Sequence, residues 1–216
     1  MKIKTESLVP VQKLRSGKKI ERSCDCYYQK FLKFPEVGIF HSYSELIHAA
    51  LLESSSKVTM FVPQPFKFLI GNRPYIPDCY LISEGKKFVI ELKPRGEFSE
   101  SKEVLLKEYL GKENIQFKVI SNEKILDQEM LALNWLEIIR TLIANKHIET
   151  FNQENEILYS LSSYEKQYLG DFISKNDRFN RVSDEIALYR LAHQGKIKIN
   201  LENDPISFQS EVELCT

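Results

Sequence analysis

The chain has 216 residues, 30 of them basic and 30 acidic, with 43% hydrophobic and 28% charged positions. This composition excludes disorder, and at this length folding removes about 70% of the unfolded chain's surface from water, so neither a disulfide nor a structural metal is needed. A net charge of zero excludes a protein that coats nucleic acid through overall basicity, so any contact with DNA requires a local patch. Four cysteines at 24, 26, 79 and 215 show no pairing pattern, which implies reduced thiols. No apolar run is long enough for a signal peptide or a membrane span. A cytoplasmic protein without a membrane partner is expected.

The charge is unevenly spread. Residues 1 to 33 carry nine lysines and arginines against three acids, whereas residues 150 to 216 carry seven against eleven. The basic opening segment, 1 to 40, reads either as a solvated tail or as an arm that neutralises phosphates, with Lys18 and Lys19 as its candidate DNA contacts. Next, Ser42-Tyr-Ser-Glu45 has the form of a capping box, and Leu46, Ile47, Ala50 and Leu51 recur at helical spacing. A helix over 43 to 54 is predicted. From Val58 the pattern changes to strands over 58 to 62, Phe66 to Ile70, Tyr75 to Ile82 and Lys87 to Lys93, punctuated by Gly71-Asn72-Arg73-Pro74 and Glu84-Gly85. A helix from Ser99 to Gly111 and a strand over Ile115 to Ile120 follow, and then a long apolar helix over 127 to 146 that is expected to bridge two domains.

Beyond Thr150 the pattern predicts helices over 154 to 161 and 163 to 174, and another opening at Ser183 and stopping at Gly195. Strands over Lys196 to Leu201 and Ile206 to Leu214 close the chain. Three short helices and a hairpin resemble a winged helix; the alternative is a small helical domain with a terminal hairpin. The expected organisation is therefore a basic segment 1 to 40, a domain over 41 to 125, a bridging helix over 126 to 149 and a winged-helix-like α+β domain over 150 to 216.

The chemistry concentrates between Arg73 and Pro94. With Glu84-Gly85 as a two-residue loop, Asp78 lies directly opposite Glu91 and their Cβ atoms come within about 5 Å. Alternation adds Lys93 to that face and sends Cys79, Leu81, Phe88, Ile90 and Leu92 to the other. A loop one residue different would instead pair Asp78 with Leu92. Two facing carboxylates repel unless a cation neutralises them. Mg2+, with Mn2+ as substitute, is the expected cation, because it takes oxygen ligands and completes its shell with water and substrate phosphate. A lysine beside it orients or deprotonates an attacking water and stabilises phosphoryl charge. The set suits metal-assisted phosphodiester hydrolysis. The plain alternative is an exposed strand face with a Glu-Lys pair beside a stray Asp.

Pro77-Asp78 and Glu91-Leu92-Lys93 resemble the PD-(D/E)xK signature of restriction-like endonucleases, and the element order fits that superfamily. Within it the chain looks most like the TnsA family, the endonuclease subunits of heteromeric bacterial transposases, through Ser44-Glu45-Leu46, Gln64-Pro65, Tyr75-x-Pro77-Asp78, Glu91-x-Lys93, the stretch from Tyr109 to Ile120, and the tail. The resemblance implies an α/β fold with a restriction-endonuclease-like mixed sheet flanked by helices. It also implies that Glu45, Asp78, Glu91 and the Leu92 carbonyl hold divalent metal, and that Lys93 is the base or water-positioner. The implied activity is cleavage at the 5′ ends of a mobile element in bacterial cytoplasm. The implied partners are double-stranded DNA at the element's ends, a DDE-type transposase subunit and an ATP-dependent regulator. A freestanding restriction or repair nuclease and a non-cleaving DNA-bound adaptor are the alternatives.

Other residues carry weaker signals. Glu45 also occupies the capping-box position, Gln64 reads as a support for the motif strand, and Arg95 is placed either to meet a phosphate or to be solvated. Cys24-x-Cys26 with His41 and His48 matches no common zinc spacing. Arg190, His193, Lys196 and Lys198 could form a recognition helix and wing, but the eleven acids around them favour protein docking.

Overall fold

A computed structural model describes residues 2–13, 26–163, 167–174 and 177–215. Contacts divide the chain into two compact units, Met1–Leu52 with Lys57–Glu129, and Glu53–Ser56 with Met130–Thr216. Among the described residues no helix is long and apolar enough to cross a membrane. The chain is mixed α/β, with a mixed sheet flanked by helices.

The first unit runs β1 (Ile3–Ser7), β2 (Tyr27–Lys30), β3 (Val37–Phe40), α1 (Tyr43–Ser54), β4 (Val58–Pro63), β5 (Lys67–Ile70), β6 (Arg73–Tyr75), β7 (Cys79–Ser83), β8 (Lys86–Lys93), α2 (Glu100–Gly111), β9 (Ile115–Ser121) and α3 (Asn122–Leu126). Its main sheet has the order β4-β7-β8-β9. The first three strands pair antiparallel, and β9 returns parallel to β8 after the crossover through α2. Flanked by β7 and β9, β8 buries four consecutive residues from Val89 to Leu92, as a strand covered on both faces should. On one face Val89 and Phe117 meet Leu106 and Leu110 of α2, together with Phe68 and Ile70. On the other, Cys79 and Leu92 line a small cavity with His48 and Ala49 of α1, Phe40 and Phe61. The expected apolar face is thus present, and the face bearing Asp78 and Glu91 is apolar further along the strands.

The hairpin register is the one that pairs Asp78 with Glu91. Cys79 pairs with Ile90 and Ser83 with Lys86, and Glu84 and Gly85 both adopt left-handed φ, 49° and 72°, which is the two-residue turn whose twist matches antiparallel strands. Lys57 holds the unfavourable non-glycine position, pairing with the Glu84 carboxylate at 3.1 Å and accepting the Glu84 N–H through its carbonyl. By contrast, the single strand expected over 75 to 82 is broken. Residues Arg73–Tyr75 pair with β5 in a separate sheet ordered β1-β5-β6, while Cys79–Ser83 belong to the main sheet. Pro77, which has no N–H to give to a ladder, lies at the break. The basic segment is not a loose tail over its described residues either, because β1 pairs with β5 and β2 with β3. Lys18 and Lys19 lie outside the described residues.

The second unit contains α4 (Glu129–Ala144, from Met130 on), α5 (Phe151–Ser163), β10 (Gln167–Tyr168), α6 (Leu169–Phe172), α7 (Arg178–His193), β11 (Ile197–Ile199) and β12 (Glu211–Leu214). Its antiparallel sheet has the order β10-β12-β11. The helix expected over 127 to 146 therefore belongs with this unit, and α3 precedes it as a separate turn. The helix expected over 163 to 174 is resolved into the end of α5, the two-residue β10 and the one-turn α6. The last helix opens at Arg178, five residues before Ser183, because Asp177 caps it by accepting the Asn180 N–H. The same helix is buried on every side from Ile186 to Tyr189.

Asn134 on α4 fastens the segment between β11 and β12. Its amide donates to the carbonyls of Leu201 at 3.0 Å and Asp204 at 2.8 Å, and its oxygen accepts the Ile206 N–H at 2.9 Å. Asn134→Leu keeps the volume and removes all three bonds. At about 1–3 kcal/mol for a buried group left unsatisfied, we expect urea unfolding to show a loss of about 3 kcal/mol. Leu133→Ala, at an exposed neighbour, should change stability by less than about 0.5 kcal/mol.

Candidate active site

The sequence-predicted acids meet at the end of β8. Asp78 stands one residue before β7, and its Oδ2 accepts the Leu92 N–H at 2.6 Å. Across from it Glu91, 3% exposed, accepts the Tyr75 hydroxyl on Oε2 at 2.6 Å and the Lys93 ammonium on Oε1 at 2.7 Å. Glu45 comes from the first turn of α1, where its oxygens accept from the Ser42 hydroxyl and the His41 N–H, each at 3.1 Å. The capping reading of Glu45 therefore holds in part: the Glu45 N–H also bonds back to the Ser42 hydroxyl at 3.2 Å, but the carboxylate reaches the N–H before the cap residue.

Electrostatics tie the set together. Burial, then the charges of Glu91 and Glu45, push the Asp78 carboxyl well above the usual carboxylate range. Burial alone would lower the Lys93 ammonium, but the Glu91 hydrogen bond and charge, helped by Asp78 and Glu45, raise it. Lys93 thus stays protonated beside three acids. Burial, reinforced by Glu91, also raises the Tyr75 hydroxyl, which therefore stays a donor.

Among the described residues no group of three or more His, Cys, Asp or Glu side chains converges as a ready metal set. Both oxygens of Glu45 and both of Glu91 have partners within the chain. The donors still fit a hard divalent cation in kind. All are oxygens, their mutual repulsion calls for a positive charge, and Asp78 Oδ1 has no hydrogen-bond partner among the described residues.

Two residues escaped the sequence reading. Tyr75 was seen only as part of a motif, although its hydroxyl holds Glu91 and its ring stacks on Phe68 at 6.5 Å and leans on Phe98 at 6.3 Å. His41 was considered only as a zinc ligand, whereas its ring accepts from the Gln64 amide. No pattern of spacing announces either contact, since both join separate elements. Gln64 is a support, as expected: its N–H donates to the Asp78 carbonyl at 2.9 Å.

The remaining candidates separate. Arg95 is exposed in the turn after β8, with φ of 53°, and its N–H donates to Glu123 at 2.8 Å. Cys24 lies outside the described residues, and burial raises the Cys79 thiol out of reactive range. Arg190 does not project as a DNA reader, because its guanidinium donates to the Thr150 hydroxyl at 2.6 Å and to the Lys146 carbonyl at 3.4 Å. His193 pairs with the fully buried Glu53 at 2.7 Å. Lys196 and Lys198 remain exposed. Comparison of the chain with known protein families and with curated proteins gives no match to either.

His48 lies behind Glu45 among Phe40, Phe61 and Leu92, and burial lowers its pKa from 6.5 to about 4. Below 6.5 the unfolded chain takes up a proton that the folded chain refuses, so the stability due to neutral His48 is complete above that value and is lost as pH falls towards 4. Between pH 7 and pH 5, wild type should lose about 2 kcal/mol more than His48→Leu in urea unfolding. Parallel losses would mean that His48 is protonated in the folded chain.

Proposed function

We propose that the chain is a metal-dependent DNA endonuclease of restriction-like architecture, hydrolysing phosphodiesters at the 5′ ends of a transposable element as one subunit of a heteromeric transposase. The observation that carries this reading is the gathering of charge at the end of β8: Asp78, one residue before β7, bonds to the Leu92 N–H and feels the charges of Glu91 and Glu45, and Lys93 pairs with Glu91. The order α1, β4, β7, β8, α2, β9, antiparallel and then parallel, supports the restriction-like part. The Gln64 N–H on the Asp78 carbonyl gives the Gln64-Pro65 motif a reason to accompany the acids. In the second unit, the succession after α4 of helix, strand, helix, helix, strand, strand with sheet order β10-β12-β11 supports a winged-helix reading. The transposase and regulator partners rest on the resemblance.

Asp78, Glu91 and the Leu92 carbonyl, joined by Glu45, would hold Mg2+ or Mn2+, which supplies charge neutralisation and an acidified water when bound. The chain's own groups do the rest. Tyr75 fixes the orientation of Glu91 by donating to its Oε2. Lys93, held as an ammonium, is suited to orient the attacking water and to stabilise charge on the phosphoryl oxygens, and less suited to act as a base. Arg95, just past Lys93, is placed to meet a neighbouring phosphate. An intact Glu91-Lys93 pair is difficult to reconcile with a non-cleaving adaptor.

Lys93→Ala should lower Mg2+-dependent strand cleavage by about 10²–10⁴-fold, the range for a positioned proton-handling group. Asp78→Asn should abolish cleavage and at the same time raise the melting temperature without metal at pH 7, because the amide keeps the Leu92 contact and removes a buried like charge. Cleavage surviving both changes would refute the assignment. Assaying the isolated protein and then adding a transposase and its ATP-dependent regulator separates the transposon subunit from a freestanding nuclease: the first needs its partners, the second cuts alone.

A further inference from the structure

His41 and Gln64 together link two of the acid-bearing segments. Gln64 directly follows β4, is 6% exposed, and holds a left-handed φ of 45° although it is not glycine. A buried amide in a rarely adopted conformation persists only where its surroundings hold it. Its backbone N–H donates to the carbonyl of Asp78, and its side-chain Nε2 donates to His41 Nδ1. His41 in turn gives its backbone N–H to the Glu45 carboxylate at 3.1 Å. The path therefore runs from the helix-borne acid, through one imidazole and one amide, to the strand-borne acid. Neither polar side chain contributes to the apolar core on either face of the sheet.

We propose that the His41–Gln64 contact is a positioning device that fixes Glu45 relative to Asp78, so that divalent-metal affinity depends on two residues that are not ligands. The proposal rests on the nuclease reading. The amide nitrogen of Gln64 can only donate, so the partner it needs on His41 is an acceptor at Nδ1. This makes the requirement specific: a substitute must present an acceptor at the Nδ1 position. Asn does so through its Oδ1. Ala does not, and Gln places its amide further out. At Gln64, Asn tolerates the left-handed backbone but is one methylene too short to reach the ring.

The test is Mn2+ titration of the full chain by calorimetry, with a melting curve in EDTA for each variant. Wild type should bind, and Asp78→Ala should not. His41→Ala and Gln64→Asn should each weaken Mn2+ binding by about tenfold to a hundredfold, the usual effect of removing an outer-shell partner. Because the two residues act through one contact, the double variant should bind no more weakly than the weaker single variant. His41→Asn should restore affinity, and His41→Gln should not. If His41→Ala fails to fold, Gln64→Asn alone breaks the same contact and its affinity decides. Wild-type affinity in a folded Gln64→Asn, with Asp78→Ala still silent, would overturn this proposal and leave the nuclease reading standing. No Mn2+ binding by wild type, or equal binding by Asp78→Ala, would overturn both.

Discussion

Everything in the first unit is arranged around one unfavourable interaction, the burial of Asp78 opposite Glu91. Like charges facing each other across a strand pair are destabilising, and burial strengthens the repulsion by removing water. The chain answers with short, directional contacts. The Leu92 N–H meets Asp78, while the Tyr75 hydroxyl and the Lys93 ammonium share Glu91. The residual strain appears as the raised Asp78 carboxyl. A protein selected for stability alone would have placed an apolar pair here, as it did one step along at Cys79 and Ile90. Retaining the acids is what the proposed metal site would require.

Several architectural features then have a common purpose. The turn at Glu84-Gly85 sets the register that brings Asp78 to Glu91, and a one-residue slip would turn one of the acids into the opposite, apolar face. The break at Pro77 lets Tyr75 leave the main sheet, pair with β5, and return its hydroxyl to Glu91. The ring contacts with Phe68 and Phe98 fix that return. The β1-β5-β6 sheet, which carries none of the acids, thereby serves as the mount for a single hydroxyl.

What the sequence made legible was local in its physics. The capping signal of α1 and the two-residue turn each depend on neighbours a few positions apart; the turn is found where expected and the capping box in part. What it hid depends on contacts between elements distant along the chain. The run from Tyr75 to Ile82 has strand composition on both sides of Pro77-Asp78, and its two halves pair with different partners. The two-residue β10 has too few positions for alternation to show; its pairing with β12 defines it. Arg190 and His193 looked available to DNA because a basic helix end reads as a surface, yet Thr150 and Glu53 occupy them.

Glu45 shows most sharply how structural and chemical demands meet in one residue. An acid in the first turn of a helix is favoured by the helix dipole and by the unsatisfied N–H groups there, and Glu45 occupies that place in α1. Its charge also reaches Asp78 and Lys93. The partners that hold it are the His41 N–H and the Ser42 hydroxyl, each bonded to a carboxylate oxygen. Glu91 is different, because its contacts to Tyr75 and Lys93 are buried and one of them is charged. The three acids are therefore held in three ways: Glu91 by an ammonium and a hydroxyl, Asp78 by one backbone N–H, and Glu45 by the residues that open its own helix.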